Sequence, residues 1–493
     1  MRPLLGLLVA LGILWAGGCP GQSSLERAAD LEVRGQFKAA AALLEAALAD
    51  ASLEASNRHL LRFELDRLER IRKDFPYTAE ELYATLKQNL KGLTRDEFDR
   101  WVAEGRFDYR EIDGERRFMT SSVSNLFWRH PELEPRRSPP KNTRALEQAR
   151  WENCVAIRQA ALAEKKPYVL PKRFRMTMTV TAKPGAAPAG ETVRAWLPIP
   201  REYPFQTDFT LITSSPRSVQ VAPPDSPIRS VFLERPARKN QPTVFNVVYD
   251  YTTFGVWFEV DPAAVKPCDP QDPVFQAFTR EAPHVVFTPE IRALSQSIAG
   301  SETNPYLKAK KFHDWIAEHI KYSYALEYST IRNISDYCRA RGYGDCGQEA
   351  LLFITLCRLG GIPARWQSGW NTFPGAKSIH DWAEIYVPPY GWMPVDPYMG
   401  IFAMRYATSL SPGQRRQIRD FYFGGLDAYR MAANSDHNQE LTPPKRSLRS
   451  DNVDFQRGEL EWGDHNIYFD QYSYSFMVKE VPLKNASGLR PVP

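Results

Sequence analysis

The spacing of hydrophobic and polar residues divides the chain into a helical part, a β-rich part and a mixed part. Residues 25–170 carry apolar side chains mostly at helical spacing. Between 172 and 265 apolar residues such as Phe174 and Met176 alternate with polar ones, and proline-rich loops separate the runs. That alternation predicts an antiparallel β-sandwich. The helical period returns from 285, so we predict an α+β multidomain protein.

Short local signals mark the ends of several predicted elements. Residues 78–81 and 94–97 have the form of capping boxes, which start helices. Asp113-Gly114 lies in the middle of 109–119 and predicts a tight β-hairpin. Residues 35–49 resemble one tetratricopeptide-type helical hairpin, but stacking of that kind needs about three repeats. A helical bundle that packs on the rest of the protein is therefore the favoured interpretation of this region.

One cysteine stands where a nucleophile is expected. Cys346 lies between Gly344 and Gly347 and is followed by an apolar run that reads as a buried helix, which ends at Gly360. Asp345 is in the right place for a helix N-cap. A cysteine at a helix N-terminus is favoured as the thiolate by the helix dipole. We therefore predict an activated thiol, against the alternative of a buried structural cysteine.

A histidine and an aspartate follow in what reads as a β-hairpin, two apolar runs with a Pro/Gly loop between them. His380 begins one predicted strand and Asp396 ends the next. A five-residue loop, 387 to 391, pairs Tyr386 with Trp392 and makes Asp396 the diagonal neighbour of His380 on one face. A four-residue loop would place them on opposite faces. Asp381 should face away from His380, because consecutive strand residues alternate.

These motifs resemble the transglutaminase-like superfamily. They are residues 344–347, 356–365, 380–384 and 391–397. The resemblance covers about 275–405 and implies a papain-related core with a Cys-His-Asp triad. By motif match, Cys346 is the nucleophile, His380 the base and Asp396 the carboxylate that orients the base. A β-sandwich precedes the core in many bacterial proteins of this kind, and residues 195–200 resemble their usual phrase.

Such a triad predicts acyl chemistry through a thioester. The thiolate attacks a carboxamide or peptide carbonyl, His380 protonates the leaving group, and water or an amine then resolves the thioester. Hydrolysis is favoured over cross-linking, because we expect the site to be accessible to water in the dilute compartment of the cell envelope. The oxyanion would be held by the Cys346 N–H and a second donor, for which the candidates are Tyr322, Tyr324 and Gln348.

Other interpretations remain open at this point. An idle domain of the same fold could bind peptide or glycan and help to assemble an envelope complex without turnover. Asp396 before Pro397 could merely shape a turn. Four tryptophans near the motifs could wall an acyl-binding cleft, although core packing is their commoner role; they are Trp366, Trp370, Trp382 and Trp392.

Composition excludes some classes of partner. Lys and Arg number 63 against 58 Asp and Glu, a net charge of only +5, and no basic run is interleaved with aromatic residues. Nucleic acid is therefore not an expected partner. No Cys/His cluster has the spacing of a zinc site, and we expect no cofactor. The expected partner is a protein or peptide substrate, with cell-wall peptide as one candidate.

The first residues read as an export signal. Arg2 precedes the apolar run 4–14, which is too short to span a bilayer, and small residues then precede Cys19. This order resembles a bacterial lipobox, although Ala16 stands where leucine is usual. We expect Cys19 to be lipidated, which would anchor the protein at the bacterial cell envelope. The alternative is an ordinary signal peptide cut near Gly18.

The expected divisions of the chain are five. They are a signal peptide at 1–18, a mainly helical region at 19–170, a β-sandwich at 171–266, the catalytic core at 275–405, and a C-terminal extension at 406–493 that packs on the core. Five cysteines follow Cys19, an odd number that predicts at least one free thiol. Cys338 could pair with Cys268 or Cys154.

Overall fold

The computed structural model describes residues 20–217 and 220–483. The predicted leader and Cys19 lie outside these residues, as does Val219 of one predicted strand. Helices make up 39% and strands 27% of the structure, in several sheets, so the α+β class is confirmed.

The N-terminal region is mainly helical and packs on the catalytic core. Its elements are α1 (Pro20–Val33), α2 (Phe37–Leu48), α3 (Ala55–Asp74), α4 (Ala79–Asn89), α5 (Arg95–Ala103), β1 (Tyr109–Ile112), β2 (Glu115–Phe118), α6 (Ser122–Arg129) and α7 (Arg144–Glu164). Thr78 forms the predicted capping box with Glu81. Asp113 and Gly114 have positive φ in the predicted hairpin turn. One apolar cluster includes Phe37 and Leu61 together with helices of the core, so the two parts share a hydrophobic interior.

The β-rich segment supplies most of two facing sheets. Its strands are β3 (Tyr168–Ala182), β4 (Thr192–Pro198), β5 (Gln206–Ser215), β6 (Gln220–Val221), β7 (Ser230–Pro236) and β8 (Thr243–Trp257). β3 pairs antiparallel with β8, and β4 with β7. Inward side chains such as Met176, Met178 and Val247 are buried between the sheets, which is why apolar and polar residues alternate along these strands.

The mixed segment surrounds one buried helix. Its elements are α8 (Pro273–Phe278), α9 (Pro289–Ala299), α10 (Pro305–His319), β9 (Lys321–Tyr322), α11 (Ile334–Arg341), β10 (Tyr343–Gly344), α12 (Cys346–Leu359), β11 (Ala364–Asn371), β12 (Ser378–Val387), β13 (Gly391–Val395) and α13 (Pro397–Ile401). Residues 347–358 of α12 are all buried. One side of α12 meets Ala383 and Ile385 of β12 in the main apolar cluster. The helix therefore fixes Cys346, its first residue, against the β12 face.

The C-terminal segment completes sheets in both halves of the molecule. It forms α14 (Pro412–Phe421), β14 (Gly425–Leu426), β15 (Arg430–Ala432), β16 (Glu459–Trp462), β17 (His465–Ile467) and β18 (Tyr472–Val481). β15 extends the core sheet in the order β13-β12-β11-β15. β16 and β17 join the sheet of β4, while β18 lies beside β3. The expected packing on the core thus accounts for only part of this segment, because four of its strands (β14, β16, β17 and β18) belong to the sheets of the sandwich.

Two further observations bear on the sequence-based expectations. Within the described ranges no helix combines the length and the apolar character needed to cross a membrane. The five cysteines in those ranges are free thiols, so Cys338 pairs with neither Cys268 nor Cys154. Four of the five are buried, and only Cys346 is partly exposed.

Candidate active site

Cys346 opens α12 and is held there by a well-formed cap. The Asp345 side chain accepts a hydrogen bond from the Gln348 N–H at 3.1 Å, and Gln348 Oε1 accepts one from the Asp345 N–H at 3.4 Å. The Tyr328 hydroxyl donates to Asp345 Oδ1 at 2.5 Å. Gly347 has no room for a side chain, because a Cβ there would lie 2.1 Å from the Tyr328 oxygen. The glycine after the cysteine is therefore a packing requirement, and the predicted N-cap is confirmed.

The hairpin that carries the histidine and the aspartate has the predicted register. Tyr386 pairs with Trp392, and Val387 pairs with Gly391. The His380 Nε2 and Asp396 Oδ2 atoms are 2.7 Å apart, and both side chains are buried. The structure therefore brings these two predicted site residues together by the diagonal contact that a five-residue loop requires.

A buried arginine from the C-terminal segment fixes the aspartate. Arg430 of β15 places Nη2 2.9 Å from Asp396 Oδ2, and the Met399 N–H donates to Asp396 Oδ1 at 3.1 Å. Burial would raise the pKa of Asp396, but His380 and Arg430 outweigh it and lower the pKa to about 2. Asp396 is thus ionised at neutral pH.

The imidazole beside this carboxylate is neutral at pH 7. Burial lowers the pKa of His380, and Arg430 lowers it further against the opposing pull of Asp396. Because Nε2 is engaged by Asp396, we assign the proton to Nε2, which leaves Nδ1 as the acceptor. A neutral imidazole with a free Nδ1 is the form that can take a proton from a thiol.

The sulfur itself has a different partner. Cys346 Sγ donates to Asp381 Oδ2 at 3.5 Å, and the described residues show no hydrogen bond between this sulfur and the His380 ring. The Gln456 Nε2 atom donates to Asp381 Oδ1 at 2.5 Å and to the His380 carbonyl at 2.9 Å. Asp381 does face away from the imidazole, as alternation predicts, and the residue on its side of the strand is Cys346, the predicted nucleophile.

The electrostatics around the sulfur differ from the sequence-based expectation. Burial raises the pKa of the Cys346 thiol well above its ordinary value, and the carboxyls of Asp381 and Asp345 raise it further. The hydrogen bond from the Asp381 backbone lowers the pKa by less than these effects raise it. Burial and the neighbouring carboxyls thus favour the thiol, whereas the sequence predicts the thiolate.

An aromatic row connects the N-terminal region to the histidine. Its members are Trp128 of α6, Tyr322 of β9 and Tyr398 of α13, all partly exposed. The ring centroids of Trp128 and Tyr322 are 4.7 Å apart, those of Tyr322 and Tyr398 are 5.0 Å apart, and those of Tyr398 and His380 are 5.3 Å apart. The row is a surface beside the site on which an apolar or planar group could rest.

The remaining sequence candidates have mixed outcomes. Trp366, Trp370 and Trp382 are fully buried core residues, while Trp392 is half-buried. Gln348 is committed by Oε1 to the helix cap, and its Nε2 has no partner. Sequence reasoning missed Arg430 and Gln456 as parts of the site. Nothing in their own neighbourhoods marks them, since both reach the site from the C-terminal segment.

Comparison with known families agrees with this architecture. A profile described as the transglutaminase-like superfamily matches residues 292–397, from α9 to the start of α13. Residues 292–397 are a transglutaminase-like domain. The match includes Cys346, His380 and Asp396. It covers the central part of the predicted core.

Relatives of the transglutaminase-like domain are distant. An uncharacterized protein of Haemophilus influenzae is 22% identical over 233 residues, which is 42% of this chain and 63% of that protein. YebA of Bacillus subtilis, also uncharacterized, is 27% identical over 129 residues, 22% of this chain and 17% of that protein. The chain thus spans less than two thirds of the length of these curated relatives.

Two solved structures show similarity at low identity. One is described as a candidate cysteine protease from Cytophaga hutchinsonii; it is 15% identical, with a TM-score of 0.41, over 64% of this chain and 93% of that one. The other is the periplasmic domain of TgpA from Pseudomonas aeruginosa, 15% identical with a TM-score of 0.25, over 55% of this chain and 96% of that one.

Proposed function

We propose that the protein is a thiol enzyme that attacks a carboxamide or peptide bond through a thioester on Cys346. The observation that carries this proposal is the 2.7 Å contact between His380 and Asp396, which Arg430 holds inside the protein beside the nucleophile helix. Burying an imidazole together with a carboxylate costs free energy. The arrangement is also the one that orients a general base for nucleophilic catalysis.

The first half of the proposed reaction forms the thioester. The Cys346 thiol gives its proton to His380 Nδ1 as the sulfur bonds to the carbonyl carbon. The resulting oxyanion accepts a hydrogen bond from the backbone N–H of Cys346, one of the free donors of a helix N-terminus. The imidazolium, stabilised by Asp396, then gives the proton to the leaving amine or ammonia. The thioester remains on the sulfur.

The second half releases the acyl group. His380 Nδ1 takes a proton from water as the oxygen adds to the thioester carbon, and the sulfur leaves with the returned proton. With water as the acceptor the product is a carboxylic acid; with an amine it is a new amide. The partial exposure of Cys346 supports the choice of water. The proposed substrate is a protein or peptide, with cell-wall peptide as one candidate, and the proposed place is the bacterial envelope with a lipid anchor at Cys19.

A mass-spectrometric assay separates the reaction types. The purified protein is incubated with a peptide and proteome library, with and without a primary amine, beside Cys346→Ala. Cys268→Ser is the matched control, since it removes a free buried thiol outside the site. We expect cleavage or deamidation with the unsubstituted protein and the control, none with Cys346→Ala, and little added amine in the products. No change that depends on Cys346 would contradict the proposal.

A second candidate function rests on the state of the sulfur. Cys346 bonds to Asp381 rather than to His380, and its thiol resists ionisation. Such a site could belong to an idle transglutaminase-like domain that binds an envelope peptide or glycan and helps to assemble a complex. In that case the library would contain peptides retained by the protein but not altered, and retention would survive Cys346→Ala.

A further inference from the structure

Two side chains control where the nucleophilic sulfur lies. Asp381 Oδ2 accepts a hydrogen bond from Cys346 Sγ at 3.5 Å, and the Asp381 backbone N–H also bonds this sulfur. Gln456 then fixes Asp381, because its Nε2 bonds Asp381 Oδ1 at 2.5 Å and the carbonyl of the neighbouring His380 at 2.9 Å. The Gln456 backbone is held in turn, since its carbonyl accepts from the Trp370 indole at 2.9 Å.

The sulfur cannot use both neighbours in this position. His380 and Asp381 are consecutive in β12, so their side chains leave the strand on opposite faces. His380 faces Asp396, and Asp381 faces α12 with Cys346. A rotation about the Cys346 side-chain bond, between staggered positions, would break the bond to Asp381, which must happen before the sulfur can approach His380.

We propose that Asp381, braced by Gln456, is a positioning residue that holds the Cys346 thiol in a resting place apart from His380. The nucleophile becomes competent when this hydrogen bond is released. The inference rests on the proposed function only for the roles of Cys346 and His380. It assigns Asp381 no contact with substrate.

The charges that face this pair favour the resting form. The titratable groups near Asp381 are Asp345, Asp454 and Arg457, and those near Cys346 are Asp345, Glu349, Tyr322, Tyr328 and Tyr398. Apart from Arg457 they are all acids. Burial and the carboxyls of Asp454 and Asp345 raise the pKa of Asp381, just as burial and nearby acids raise that of Cys346. The surroundings therefore oppose a thiolate while Asp381 keeps its place.

Two substitutions change this pair in different ways. Asp381→Ala removes the acceptor and frees the sulfur. Asp381→Asn keeps the size of the side chain; since Gln456 Nε2 already requires an oxygen acceptor, the Asn oxygen faces Gln456 and its NH₂ faces the sulfur. An N–H donor aimed at sulfur stabilises the thiolate. Both changes should make Cys346 react at lower pH.

The test is the rate of alkylation of Cys346 by iodoacetamide from pH 5 to 10, followed by peptide mass spectrometry. The unsubstituted protein should react slowly at pH 7. Both variants should react at least about tenfold faster, because one unit of thiol pKa changes the thiolate fraction tenfold. Asp336→Asn is the matched control: it changes a partly exposed aspartate that pairs with Arg339 on α11. It should leave the rate unchanged.

The effect of removing His380 on the alkylation rate distinguishes a positioning role of Asp381 from a general loosening of the structure around Cys346. When His380→Ala is added to Asp381→Ala, it should remove the acceleration, because the released sulfur then lacks its base. Equal rates for Asp381→Asn and the unsubstituted protein, or an acceleration that survives the loss of His380 in Asp381→Ala, would overturn the proposal. Alkylation needs no substrate turnover, so this outcome is separate from any failure of the proposed enzymatic function.

Discussion

Asp74 is a half-buried acid whose replacement should reveal how the N-terminal region docks on the core. It is the last residue of α3, and its Oδ2 accepts a hydrogen bond from the Glu327 N–H at 3.1 Å. Burial and the nearby Glu327 carboxylate raise the pKa of Asp74 to about 7. Tyr328, the residue after Glu327, donates a hydrogen bond to Asp345, which caps the N-terminus of α12. The contact of Asp74 with Glu327 therefore lies close to that end of the helix.

The raised pKa of Asp74 determines the sign and the size of the change in unfolding free energy with pH. Between pH about 4 and about 7 the folded protein keeps a proton that the unfolded chain releases, so stability falls as pH rises through this window and levels off above it. A shift of about 3 units at 1.36 kcal/mol per unit gives a cost of about 4 kcal/mol above pH 7. Asp74→Asn keeps an oxygen acceptor for Glu327 and removes the charge.

Urea unfolding at pH 4.5 and pH 8 measures this effect. We expect Asp74→Asn to be more stable than the unsubstituted protein by only about 1 kcal/mol at the lower pH and by up to about 4 kcal/mol at the higher one. Asp464→Asn is a control of opposite sign, because burial, which would raise the pKa of Asp464, is outweighed by the hydrogen bond and charge of Arg62 together with His465, so that the pKa is lowered. It should lose stability at pH 8. The same difference for Asp74→Asn at both pH values would refute the reasoning.

Three further changes test other parts of the structure. Gly347→Ala places a Cβ 2.1 Å from the Tyr328 oxygen, and overpacking of this kind should cost about 1–3 kcal/mol, read from thermal unfolding. Arg430→Met leaves Asp396 buried without its guanidinium and should destabilise the protein by about 3–5 kcal/mol in urea; a neutral result would mean that the pair is not needed. Trp128→Ala removes the outer member of the aromatic row; if the row holds substrate, KM should rise while kcat stays within about twofold.

The local features of the site could be predicted from sequence because each depends on nearby residues. The length of the loop fixes the register of β12 and β13, and register alone brings His380 beside Asp396. The cap at Asp345 follows from the side chain three residues later. The hairpin at Asp113-Gly114 follows from the tolerance of these residues for positive φ.

The parts that could not be predicted depend on contacts between distant segments. Arg430 reaches Asp396 only because β15 pairs with β11, and no local sequence pattern predicts that pairing. β18 has the alternation of any half-buried strand, which is compatible with a place on either sheet. For Asp381, alternation says which way the side chain points but not which helix packs there.

The pKa shifts of Asp396, His380 and Cys346 indicate which group should control the response of the proposed enzyme to pH. Asp396 is ionised from about pH 2 upward, and His380 is neutral at pH 7, so the pair is already in its working form across the neutral range. The thiol is not, because burial, Asp381 and Asp345 hold its proton. Transfer of that proton to His380 Nδ1 is therefore the step left to limit the chemistry. Alkylation of Cys346, which needs only the thiolate, should rise on the alkaline side, and the hydrogen bond from Cys346 to Asp381 contributes to where that rise begins.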